Sequence, residues 1–220
     1  MRKSLTIGVV CTFLAGMVAG ETKVGICEHV GLWGVAGGGA LEIRNGVFRM
    51  CRSADIDYVR SDFRWDVCEP TKGQWDWSAF DAVIQAAEAE GITILPILAY
   101  NSAYSGKKAH EELDNWTEYV RQVVTRYKRH FKAVEVWNEE NHPPFWNDAP
   151  NVQEYIPLLK VTYETVKAID PNIQVVLGGL ALRKYFPGMR GEPGQWQKTP
   201  EGRDVLVTYS PEYILRFGSV

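Results

Sequence analysis

Five apolar runs of strand length recur along this chain at nearly constant intervals. "VGICEH" begins at Val24, "DYVRSDFRW" at Asp57, "ITILPILAY" at Ile92, "AVEVWNEE" at Ala133 and "IQVVLGG" at Ile173. Their starts lie 33, 35, 41 and 40 residues apart. That interval holds one strand and one crossover helix, so it dictates parallel βα units. The intervening segments carry helical spacing. Phe80, Val83, Ile84 and Ala87 mark one apolar face, with Ser78 as N-cap and Asp81 three residues on. Leu113, Trp116, Val120, Val123, Val124 and Tyr127 mark the next. Asn151 with Glu154 suggests a capping box before Tyr155, Leu159, Thr162 and Val166, and Pro157 should kink that helix or delay its start. Gly91 and Asp170-Pro171 end two of the crossovers. With 45% hydrophobic and 12% aromatic residues, 220 residues can close a sizeable core.

Spacing alone does not choose between a doubly wound sheet and a (β/α)₈ barrel. Charge placement does. Arg60, Asp62 and Arg64 alternate along the second strand signal and therefore share one face. On an edge strand such a row would be a solvated face. In a parallel sheet the helices cover the outside, which leaves the interior and mouth of a barrel for these charges. The barrel is the expected fold.

The first 20 residues read separately. Arg2 and Lys3 precede an apolar stretch from Leu5 to Ala19, closed by Val18-Ala19-Gly20. This is the layout of a secretory signal peptide, too short for a membrane span, with an exported or periplasmic mature chain expected to start near Glu21. Losing the leader would move the net charge from −3 to −5, which disfavours nucleic acid as a partner. Cys27, Cys51 and Cys68 would remain, an odd number that excludes a full disulfide framework but leaves room for one bridge. At least one of them is expected to be a buried apolar cysteine. Their spacing fits no zinc pattern, and His29, His110, His130 and His142 form no HxxxH pair. No metal or organic cofactor is expected.

Chemistry concentrates in "AVEVWNEEN", residues 133–141. Glu139 stands where the fourth strand should end, flanked by Trp137 and a loop with Pro143, Phe145 and Trp146. Aromatic neighbours strip hydration from a carboxylate and raise its pKa, which a general acid needs for protonating a glycosidic oxygen. Asn138 supplies donors and an acceptor for a sugar hydroxyl. Two carboxylates compete. Glu135 lies deeper on the strand and suits a buried partner for a barrel arginine. Glu140 falls on the other face or in the loop.

Together, "VEVWNEEN" and the preceding "YVRSDFRWDVCEPTKGQWDWSAFDAVIQAAEAEGITILPILAY" resemble the clan A glycoside hydrolases, family 39 in flavour and related to families 5 and 42. The resemblance, from about Val24 to Leu180, implies a (β/α)₈ barrel that hydrolyses β-glycosidic bonds with retention. It implies Glu139 as acid/base, Asn138 as its sugar-binding neighbour, Arg60 as the strand-two arginine near the nucleophile, and a nucleophilic glutamate on strand seven. Glu140 stands where the family usually has proline. Trp33, Tyr100 and Trp146 fall in or beside loops after strands one, three and four, where flat rings could stack on sugars, while His29 and Asn101 could bind hydroxyls. Ordinary loop packing is the competing reading for each. Trp75 and Trp77 introduce a helix and read as structural. "NWT" at Asn115 matches a glycosylation acceptor but lies within a helical pattern.

Two other classes compete. "GLWGVAGGGALE" could open a helix around a phosphate, yet Glu42 occupies the third glycine position of GxGxxG and no P-loop lysine follows. A non-catalytic carbohydrate-binding protein would use the same aromatics without a second carboxylate. The tail, residues 183–220, bears on that choice. It holds nine Gly or Pro, and only "DVLVTYS" reads as a strand. Five strand signals against the eight of a closed barrel imply an incomplete one. Glu192, Glu201 and Glu212 are the remaining glutamates; Glu212 is the least implausible nucleophile.

Overall fold

The computed structural model describes residues 25–27, 40–146, 149–181, 196–198 and 204–206. Its sheet contains β1 (Gly25–Cys27), β2 (Tyr58–Arg64), β3 (Thr93–Ala99), β4 (Ala133–Asn138) and β5 (Gln174–Gly179), parallel and in sequence order. The crossovers are α1 (Ala40–Ser53), the single turn α2 (Trp65–Cys68) followed by α3 (Ser78–Ala89), α4 (Leu113–Tyr127), and the short α5 (Pro143–Trp146) followed by α6 (Val152–Ile169). Each expected strand is present within a few residues of its signal. A separate antiparallel pair, β6 (Trp196–Lys198) and β7 (Asp204–Leu206), takes up part of "DVLVTYS". The leader, with Cys11, lies outside the described residues. No helix among those described is long and apolar enough to cross a membrane.

Strand alternation sorts the two layers. On β2, Val59, Ser61 and Phe63 are buried toward the helices. The Phe63 ring packs on Phe80 of α3 at 4.7 Å and edge-on to Tyr127 of α4 and to Phe131. Such aromatic pairs add about 0.5–1.5 kcal/mol each beyond area burial. Arg60, Asp62 and Arg64 therefore take the opposite, concave face. β2 lies between β1 and β3, which removes the solvated-edge alternative. β3 carries Pro96 mid-strand, and its registered pairing with β4 begins at Ile97, beyond the residue that has no N–H to donate.

Three local expectations change. Ser78 is the first residue of α3 rather than its cap; Asp76 instead accepts from the Ser78 amide at 2.9 Å. Two residues upstream, a carboxylate reaches the exposed amide more directly than the serine hydroxyl reaches its own turn. Asn151 caps α6 by accepting from Gln153 N at 3.0 Å, while its Nδ2 donates to Glu154. The Asn151–Glu154 pair is thus side chain to side chain, not a reciprocal box. Pro157 sits in the second turn of a continuous helix that starts at Val152. No disulfide joins Cys27, Cys51 and Cys68, and Cys51 and Cys68 are buried.

Candidate active site

Within the sheet, one guanidinium organises the concave face from mid-β2 to the C-terminal end of β4. Arg60 donates from Nε to Glu135 Oε2 at 2.6 Å and from Nη2 to Glu135 Oε1 at 2.7 Å. The same Nη2 donates to Asn138 Oδ1 at 2.8 Å, and Nη1 donates to Cys27 Sγ at 3.2 Å. Burial works against the charge on Arg60, but the Glu135 carboxylate more than offsets it and holds the guanidinium firmly protonated. Glu135 also accepts from Gly179 N at 2.8 Å, so a 3%-exposed carboxylate accepts three hydrogen bonds. Glu135 is the buried arginine partner that its depth in the strand suggested.

The backbone then departs from the strand. Simple alternation would point Trp137 to the same side as Glu135. Trp137 instead has φ +72°, and its ring packs on Trp116 of α4 and Trp146 of α5. Asn138 thereby returns to the concave face and to Arg60. Glu139 follows with φ +51°. Left-handed backbone at two non-glycine residues costs on the order of 1–3 kcal/mol each, and persists where the surroundings over-determine it. Here Glu139 N donates to Gly179 O at 2.8 Å and His142 N donates to Glu139 O at 2.7 Å. Asn141, missed by sequence reasoning, is 4% exposed and exchanges two hydrogen bonds with Ala181 at 2.8 and 3.1 Å. Together these bonds fix a half-exposed Glu139 just past the end of the strand.

Tyr100 closes one side of the site. Its phenol is hydrogen-bonded to Asn138 and pushed up by burial, and Arg64 lies over its ring at 5.6 Å. The Ala99–Tyr100 peptide is cis. Arg64 itself is held by Asp66 at 2.5–2.8 Å.

This arrangement of a buried arginine, an Asn-Glu pair and parallel strand ends coincides with two family models. The β-galactosidase model of glycosyl hydrolase family 42 matches residues 40–105, and that of glycosyl hydrolase family 39 matches residues 98–189. The second match spans the Asn138-Glu139 turn. The chain is related to the clan A glycoside hydrolases. A β-xylosidase of Geobacillus stearothermophilus is 37% identical over 79 residues, covering 33% of this chain and 15% of that protein. A family 39 glycoside hydrolase from Bacteroides cellulosilyticus WH2 superposes with a TM-score of 0.56 at 28% identity, over 70% of this chain and 31% of that one. The family 39 enzyme of Xanthomonas axonopodis pv. citri gives 0.56 at 18% identity, over 87% and 45%. The chain thus spans less than half the length of these clan A relatives. Its five parallel strands form part of their (β/α)₈ barrel.

Within this clan A framework, the remaining expected site residues separate. Arg60, Asn138, Glu139 and Tyr100 are brought together. Asn101 is a loop clamp, its Oδ1 accepting from Ala109 N at 2.9 Å. Trp146 is not a sugar platform. It is 1% exposed, stacked on His110 at 5.1 Å, and donates from Nε1 to Glu154. Its ring also packs edge-on against Trp137 and against Tyr155 of α6. His29, Trp33 and Glu212 lie outside the described residues, as do Glu192 and Glu201. No cluster of metal-binding side chains occurs among those described.

The aromatic neighbours expected to dehydrate Glu139 mostly face the helices. At the next residue, burial raises the Glu140 carboxyl to about 7, its own backbone amide and Arg60 pull down, and Glu135 and Glu139 push further up.

Proposed function

We propose that this chain carries the acid/base half of a retaining β-glycosidase site, with Glu139 as the acid/base acting on a β-linked oligo- or polysaccharide. The observation that carries this reading is the triad of Arg60, Glu135 and Asn138 beneath Glu139. It directs a fixed, partly exposed carboxyl and a carboxamide to the mouth of a parallel barrel, where clan A relatives place their chemistry. In the first step Glu139 would give its proton to the glycosidic oxygen as the bond to the anomeric carbon breaks. In the second it would take a proton from water attacking the glycosyl intermediate. Asn138, oriented by Arg60 and Tyr100, would bind a sugar hydroxyl beside the reacting carbon. The second carboxylate, needed about 5–5.5 Å away, is assigned to no described residue. Export by the N-terminal leader belongs to the same reading.

The test compares wild type with Glu139→Gln on the whole protein. Loss of most turnover on poor alkyl leaving groups, with a smaller loss on activated aryl glycosides, supports the acid role. Equal loss on both overturns it. Oligosaccharide binding without turnover, unchanged by Glu139→Gln, returns the protein to the non-catalytic carbohydrate-binding class.

A further inference from the structure

Glu140 occupies a place that its surroundings have shaped. Its Oε2 is buried and has no hydrogen-bond partner among the described residues. A Cβ added at Gly178 of β5 would stand 2.2 Å from that oxygen and 2.9 Å from the Val136 carbonyl. Only a glycine at 178 leaves room for the carboxyl. From the helix side, Tyr155 OH donates to Val136 O at 2.9 Å and accepts from Gly178 N at 3.1 Å. The seam between β4 and β5 is therefore filled from two directions at the level of Glu139. On either side of Glu140 the turn is tied to β5 by ordinary hydrogen bonds, through Glu139 N to Gly179 O and through Asn141 to Ala181.

We propose that Glu140 is a positioning residue for Glu139, its carboxyl seated against the Gly178 backbone so as to hold the Asn138-Glu139-Asn141 turn in its left-handed conformation. A neutral acid fits this seat, whereas an ionised oxygen there would be buried without a donor. Among the described residues, the charged and titratable groups that face it are Glu135 of β4 and Glu139 beside it, Arg60 of β2, and Tyr155 of α6. β5 contributes none. His142, with a buried Nδ1 that has no hydrogen-bond partner among the described residues, lies two residues further on. Two of the three carboxylate and guanidinium neighbours are negative, and together with burial they outweigh the Glu140 amide and Arg60 in favouring the neutral form. As pH rises through about 7, Glu140 ionises, leaves its seat, and the turn loosens. This rests on Glu139 being the acid/base only where catalysis is the readout.

The experiment follows the ¹³C carboxyl resonances of glutamate-labelled protein from pH 3 to 9, together with hydrogen exchange at the Glu139 and His142 amides. The expected result is a Glu140 resonance that titrates near neutrality and is missing in Glu140→Gln. Protection of both amides falls about tenfold between pH 6 and 8 beyond the intrinsic pH effect in wild type, and is retained in Glu140→Gln. Titration of Glu140 in the ordinary carboxylate range overturns the proposal. So does an equal loss of protection in the variant, which would assign the transition to His142. Should Glu140→Gln not fold, Gly178→Ala must return the Glu140 titration toward the ordinary range by expelling the carboxyl; an unmoved titration overturns the proposal. In turnover assays the alkaline limb of kcat moves up in Glu140→Gln with KM unchanged. A limb that stays, or moves down as loss of a like charge beside Glu139 would cause, overturns it. Glycosidase failure shows in the Glu139→Gln comparison and leaves the resonance and exchange readouts intact, so the two failures are distinguishable.

Discussion

Arg60 Nη2 lies 2.8 Å from Asn138 Oδ1 and 2.7 Å from Glu135 Oε1, so one nitrogen joins the floor of the sheet to the residue preceding Glu139. Salt-bridge stability and site geometry are the same contact here. Arg60→Met should therefore cost roughly 3–5 kcal/mol of unfolding free energy, because Glu135 is left buried and uncompensated. Urea unfolding measures it. Glu135→Gln introduced into Arg60→Met should recover part of the loss by removing the orphaned charge. A cost below about 1 kcal/mol, the range of exposed pairs, would contradict the assignment.

The row of charges on β2 was legible in the sequence because strand alternation is strict where the backbone is extended. It placed Arg60 inside, and the depth of Glu135 made it the partner. The turn at the end of β4 was not legible. Nothing in "VWNEEN" announces that Trp137 and Glu139 adopt positive φ, a conformation stabilised by contacts from β5 some 40 residues later. That single departure reversed the side on which Trp137 lies, and the Glu140 carboxyl, in the turn as one of its two expected positions had it, fills the β4–β5 seam. At the start of α3, likewise, it is Asp76 and not Ser78 whose side chain accepts from a first-turn amide, because the choice between two nearby oxygen acceptors depends on geometry that spacing does not encode.

Trp146 gives a second prediction. As a core residue under His110 and Tyr155, its replacement by alanine should destabilise the protein by about 3–5 kcal/mol. Thermal unfolding and oligosaccharide affinity, measured on the same variant, separate the roles. A variant of undiminished stability with weakened sugar binding would restore the stacking role that its sequence position suggested.

Glu140 sets a pH dependence whose sign is fixed. Its folded-state value of about 7 stands above the ordinary 4.5, so its neutral form favours the fold fully below pH 4.5, and that contribution is lost as pH rises to about 7. Glu140→Gln has no such loss. Relative to wild type it should gain stability across this window, by about 1–2 kcal/mol at pH 8 once partial solvent screening is allowed for. Paired urea titrations at pH 4 and pH 8 check it; a difference that is equal at both pH values, or larger at pH 4, would count against the seat being protonated.

The role of Glu139 is tested most directly by supplying a small anion to Glu139→Ala and determining the configuration of the product. If Glu139 is the acid/base, the whole protein carrying Glu139→Ala should still form the glycosyl intermediate from an activated aryl β-glycoside, and should wait there for a nucleophile that needs no proton removed. Azide, entering the space left by the carboxyl, should restore turnover and give the β-glycosyl azide, because two inversions restore the starting configuration. An α-glycosyl azide would make Glu139 the nucleophile, and no restoration at any azide concentration would remove it from the chemistry.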